Sequence, residues 1–355
     1  MISKLHWATV VVAVAGCGGP QTQKKQEPAT TGPSAIERKL VQHVEWQKEL
    51  RQAADLYAAA AADYETKKAA HLAALAAELG KSKKTAGLGS TVATMGQERS
   101  KVADELNASL RQLHDHLLAR AKGQSDLMAT EAKLLEVEIQ AFDGSKSAAA
   151  RAQLEISQFH DASTAFHVAQ KAQQSTLAAL VAKEFEFNAL VQEDPQAREQ
   201  ADRQLGELRA DLEKRYGVLI TSSKAYEDAA TTVHSHLEKE LPPKQAPLGA
   251  RLKELIALRA SQAEAVMQSR VALRDAVLKR AEQRSREIAF DGEITAVLYS
   301  AFKDPAQRDS FLIRARDPRD AASAAFVAAK NAELSLAEVR RRIVTLEADI
   351  ASLGY

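Results

Sequence analysis

Trp46, Leu50, Ala53, Tyr57, Ala60 and Tyr64 follow one another at alternating intervals of four and three residues. That spacing draws one apolar seam along a single helical face, the pattern that closes a coiled coil. A strand cannot use it, because strand side chains change face at every residue. Leu72, Leu75 and Leu79 continue the seam after a four-residue shift that locally relaxes a supercoil. The same alternation returns near the C-terminus through Leu336, Val339, Ile343, Leu346, Ile350 and Leu353. Composition agrees: 15 Gly, 9 Pro and 5% aromatic residues in 355 leave little turn or strand signal. The expected fold is all-α, an elongated antiparallel helical coiled-coil bundle.

Glycine and proline mark the breaks in this pattern. Gly80 to Gly89 (GKSKKTAGLG) reads as a basic loop, and Asp143-Gly144-Ser145 as a kink or break in a helical region running from about Thr91 to Leu190. Unbroken, that region would be a rod of roughly 150 Å. Glu193-Asp194-Pro195 reads as a reversal, and Pro242-Pro243 with Pro247 as another. Further helices are expected from Leu248 to about Ala289, from Glu293 to Phe302 and from Ala306 to Arg314. The pattern divides into a helical body over residues 35–290 and a C-terminal extension over residues 291–355. The seam from Leu336 to Leu353 is apolar enough to take a partner helix from another protein, and removing Ala321 to Tyr355 is expected to leave the body folded. No internal repeat of fixed period is visible.

The first residues are of another kind. Lys4 precedes Leu5 to Ala15, an apolar run of signal-peptide length that is too short to span a bilayer as a helix. The run Val14-Ala15-Gly16-Cys17 resembles the bacterial lipobox. The resemblance implies a signal peptide over residues 1–16, cleavage before Cys17 and a diacylglycerol on its sulfur. Ala13-Val14-Ala15 also suits ordinary signal cleavage, but that would leave the chain's one cysteine as a lone exported thiol, which lipidation explains. Residues 17–34 are then the lipidated cysteine and a polar tether with three prolines. The chain is expected to be lipid-anchored in a bacterial envelope. Gly18 after Cys17 resembles outer-membrane sorting, with the body facing the periplasm.

Lys and Arg number 48 against 47 Asp and Glu, a balance that argues against a nucleic-acid partner. His114 with His116, and His234 with His236, sit two residues apart and point to different helix faces, so neither pair can chelate one metal. No HExxH, P-loop, GxGxxG or GxSxG motif occurs. The expectation is a non-enzymatic protein with no catalytic residue, no metal and no cofactor beyond the covalent lipid on Cys17. Carboxylates read as a solvated face paired along helices, Glu282 with Arg286 and Glu338 with Arg342. Lys279, Arg280, Arg284 and Arg286, and likewise Arg340, Arg341 and Arg342, read as solvated charge, with anionic headgroups as the sharper alternative.

Three stretches resemble the BAR superfamily, its F-BAR branch in particular. Ala62 to Leu79 (ADYETKKAAHLAALAAEL) is similar to that family's early helix, and Leu88 to Met95 (LGSTVATM) to the segment after it. Leu237 to Lys244 (LEKELPPK), leading into Leu252 to Arg259, resembles the proline break before its last long helix. The resemblance implies an elongated antiparallel homodimer that binds a lipid membrane through basic residues. It places a distal tip at Glu193 to Arg198, with Lys183, Arg198 and Arg203 as tip contacts and Lys146, Arg151 and Lys171 on the membrane-facing side. The expected function is an envelope lipoprotein whose dimer binds, shapes or supports a membrane. The alternative is a periplasmic coiled-coil adaptor that reaches a protein partner or the cell wall through its C-terminal helix.

Overall fold

The alternating spacing builds long helices. A computed structural model describes residues 33–189, 195–302 and 304–353. In it α1 spans Pro33–Gly80, α2 Ala86–Ala141, α3 Ser145–Arg151, α4 Gln153–Ala189, α5 Pro195–Lys239, α6 Ala246–Ala301, α7 Pro305–Arg314 and α8 Arg316–Ala351, with a 3-10 turn at Pro243–Gln245. No strand occurs among the described residues. The expected signal peptide, Cys17 and nearly all of the tether lie outside the described residues, as do Glu193 and Asp194. Pro195 opens α5, where a helix has no use for the N–H that proline lacks.

Six of the helices are long, and their contacts join them edge to edge in the order α8, α1, α2, α6, α5, α4, with α4 also touching α8. Neighbours run antiparallel, since paired residues rise along one helix as they fall along the next. Gln47 and Glu65 of α1 meet Ala121 and Arg99 of α2. Arg99 and Gln124 of α2 meet Glu287 and Arg270 of α6. Phe159 and Thr176 of α4 meet Tyr226 and Asp211 of α5. Lys39 and Tyr64 of α1 meet Asp349 and Phe326 of α8. The long helices therefore fold back within one chain.

The two seams visible at opposite ends of the sequence are each other's partners. Leu336, Val339 and Ile343 pack with Leu50, Ala53, Ala54 and Tyr57 of α1 and with Leu106 and Leu110 of α2. Leu346 and Ile350, with Leu353 beside them, pack on Ile36, Met128 and Leu135. The C-terminal seam expected to recruit an outside helix is thus filled from within. The expected boundary at residue 290 falls inside α6, which runs on through Ala301 without a break.

Two breaks differ from expectation. Residues 91–190 are not one helix: α2 stops at Ala141, Asp143 adopts φ 56° and Gly144 φ 130°, and the Gly144 N–H donates to the Ile139 carbonyl at 2.8 Å. Both residue types tolerate positive φ, so the chain turns back there and no 150 Å rod forms. Only Lys81 to Thr85 separate α1 from α2, so Gly87 and Gly89 are helical. A Cβ on Gly89 would lie 2.8 Å from the Ala76 carbonyl oxygen and 3.2 Å from Leu79 Cβ. That glycine lets two helix backbones approach; it does not make the turn.

Candidate functional site in the bundle interior

The inward positions of α2 and α6 carry charge. In α6, Arg259, Ala263, Val266, Arg270, Leu273, Val277, Arg280, Arg284, Glu287, Asp291 and Ile294 keep the four–three alternation throughout. All are buried except Asp291, which is 13% exposed. In α2, Arg99, Ala103, Leu106, Leu110, Leu113, Leu117, Arg120, Gln124, Leu127, Glu131, Leu134 and Glu138 do the same, with only Glu131 partly exposed. Sequence reasoning missed these groups because it scored only apolar residues on each seam. Charged residues standing at seam positions were the signal that would have found them.

The charges meet in layers. Arg99 donates to Glu65 at 2.6 Å, to Asp291 at 2.8 Å and to Glu287 at 2.5 Å, and Lys68 reaches Asp291 at 3.2 Å. Arg280 pairs with Glu184 of α4 and, at 2.8 Å, with Glu333 of α8. Arg259 donates to Glu131 at 2.5 Å and Glu227 at 2.9 Å. His234, buried in α5, lies 2.7 Å from Glu138 and 2.8 Å from Glu131. Burial opposes charge on its ring, but the two carboxylates prevail and hold its pKa up at about 10. Glu347 accepts from Arg120 and lies 3.2 Å from His43; burial resists its charge, yet Arg120 and His43 hold its pKa down near 2.

A cavity of about 60 Å³ lies between the layers, and all six long helices line it. Arg120, Arg270 and Arg340 face it together with Gln170, Gln173 and Tyr216. Arg270 donates to Gln124 at 3.0 Å and stacks 4.8 Å from the Phe166 ring centre, without a carboxylate partner. Burial and then the like charge of Arg120 lower its pKa to about 10. Burial and Arg120 also lower that of Arg340.

The surface candidates sit elsewhere. Lys146 and Arg151 lie on α3, Lys171 and Lys183 on α4, and Arg198 and Arg203 in the first turns of α5. Arg151 pairs with Glu240 at 3.9 Å, Lys183 with Glu186 at 2.8 Å and Arg203 with Glu199 at 3.1 Å. Lys146 and Lys171 are exposed. All six belong to consecutive elements, but the helical rise from Lys146 to Lys183 spreads them over tens of ångströms, about 1.5 Å per residue.

Several expected charge pairings are replaced. Arg286 reaches across to Glu105 at 3.0 Å instead of Glu282, Glu338 holds Arg341 instead of Arg342, and Arg342 reaches Glu49 at 2.5 Å. For Arg286 and Arg342 a packed neighbouring helix supplies the closer partner, whereas Glu338 keeps its partner within α8. Arg280 and Arg284, expected in solvent, are buried. Among the described residues no group of three or more His, Cys, Asp or Glu side chains is placed to hold a metal ion. Among them, too, no helix is long and apolar enough to cross a membrane. No protein-family model, curated protein or solved structure matches the chain.

Proposed function

We propose that this chain is a non-enzymatic envelope lipoprotein, tethered through lipid on Cys17, whose helical body lies along a membrane and supports it. The observation that carries this reading is the N-terminal sequence: an apolar run, a lipobox-like tetrapeptide ending in the one cysteine, and a proline-containing tether. The body is consistent with binding work, because most of its buried carboxylates and cations are occupied with each other, Arg270 and Arg340 excepted. The six basic candidates share one hairpin, α3 to α5, which is the edge offered to anionic lipid on this reading. Two unpaired lysines there contribute about 1 kcal/mol each near an anionic surface, enough for a weak contact that salt disrupts. Beside an acyl anchor the contact becomes intramolecular, and weak attraction then suffices to orient the body. A BAR-like dimer would have to form through outer faces, since the long seams are filled within one chain.

The test has two arms. Cells fed an alkyne fatty acid are expected to label the wild-type chain and not Cys17→Ala; an unlabelled wild type overturns the lipoprotein reading. Residues 18–355 are expected to float with anionic vesicles at low salt, and to lose most of that binding with Lys146→Glu and Lys171→Glu combined. Failure of the wild-type body to float overturns the membrane contact and leaves the anchor standing.

A further inference from the structure

The central cavity has more positive charge than the protein uses. Arg120 is held by Glu347, but among the described residues Arg270 is paired only with the Gln124 amide, the Met267 sulfur at 3.8 Å and an aromatic face, and the Arg340 side chain has no hydrogen bond or ion pair. The carboxylates that act on Arg270 and Arg340 are Glu227, Glu347 and Glu333. Each is already engaged by another cation: Glu227 by Arg259, Glu347 by Arg120, and Glu333 by Arg280. Like charges brought together inside a bundle repel strongly unless something negative lies between them.

A second, independent observation points into the same space. Gln173 is 5% exposed and lines the cavity, and its Nε2 has no hydrogen-bond partner. Buried amide donors are almost always satisfied, so one left open beside unpaired guanidiniums marks a missing acceptor. Gln170 and the Tyr216 hydroxyl add further donors to the wall. Planar guanidinium forks match the paired oxygens of an oxyanion, which is why arginine clusters hold phosphate and carboxylate.

We infer that the cavity among Arg120, Arg270, Arg340 and Gln173 is a binding site for one small oxyanion of the size of inorganic phosphate. A cavity of about 60 Å³ excludes a nucleotide or a lipid headgroup with its glycerol. Its four partners come from α2, α4, α6 and α8, so binding ties four of the six long helices together at the middle of the bundle.

Isothermal titration of the full chain with inorganic phosphate, in a zwitterionic buffer low in other anions, tests the site. The expected result is a saturable isotherm with about one phosphate per chain and a melting temperature that rises with phosphate concentration. Arg340→Gln is expected to weaken binding at least tenfold, and to melt no lower than the wild type without phosphate because it removes an unpaired charge. Gln173→Leu, which removes only the open donor, is expected to weaken binding several-fold and serves if Arg340→Gln misfolds. Absence of saturable heat up to tens of millimolar overturns the site. So does a melting shift of equal size in the wild type and both variants, since that is a general salt effect.

Discussion

His234 shows what the charged interior does at the scale of one residue. Its ring has an ordinary pKa near 6.5 in an unfolded chain and about 10 in the fold. The folded state therefore binds a proton that the unfolded state releases above pH 6.5. Its contribution is complete below that pH and is lost as pH rises towards 10. The slope for one such group is about 1.4 kcal/mol per pH unit. Urea unfolding of the wild type and His234→Gln at pH 7, 8 and 9 is expected to show the wild-type advantage shrinking by up to that amount per unit. A constant gap across the series would mean the ring is neutral in the fold and the assigned charge is wrong. Sequence spacing ruled His234 and His236 out as a metal pair, and they do part company: His236 is more exposed and meets Glu155 and the Arg151 carbonyl. What spacing could not reveal is that His234 faces two glutamates from a helix about a hundred residues earlier. Only the register of α5 on α2 decides that, and register depends on every other contact between the helices.

At the scale of the helix, Gly87 and Gly89 separate what sequence joins. Both stand in AGLGS, and both read as turn residues because glycine is the common punctuator of helices. In α2 a Cβ on Gly87 would meet nothing within 4 Å, whereas one on Gly89 would strike the backbone of α1. Gly87→Ala is expected to stabilise the protein by up to about 1 kcal/mol, since it removes a flexible residue from an exposed helical position. Gly89→Ala is expected to cost about 1–3 kcal/mol by forcing the hairpin apart. Denaturant midpoints of the two variants should move in opposite directions, and movement in the same direction would remove the close approach as the reason for Gly89. The helices themselves were legible, because a four–three repeat is a local signal that survives burial. The reversal at Asp143-Gly144 was legible only as a break. Whether such a break kinks a helix or turns it back depends on where the next helix finds its partners, and α4 finds them mainly on α5, with lesser contacts to α6 and α8.

For the whole molecule, the question is whether any of the six long helices is dispensable. The C-terminal seam was visible in sequence, and so was the seam of α1, but a seam carries no label for its partner. An apolar stripe at the end of a chain looks the same whether it awaits another protein or the start of its own chain. The structure pairs the two, and with them the charges that sequence could not place. Removing residues 321–355 would uncover Leu50, Ala54 and Tyr57. It would also take Glu347 from Arg120, leaving that cation without a carboxylate, and Glu333 from Arg280, leaving it Glu184 alone. Exposure of a seam and orphaning of Arg120 each cost several kcal/mol, comparable together with the whole stability of a domain, about 5–15 kcal/mol. The truncated chain is therefore expected to melt broadly, without the single sharp transition of the full chain, when followed by circular dichroism. Adding residues 316–353 as a separate peptide is expected to restore a sharp transition, because α8 is held by packing and ion pairs that need no covalent link. A truncated chain that melts sharply within a few degrees of the full one would show that α8 merely decorates a complete five-helix body. In that case the C-terminal seam would again be free to serve a partner from outside.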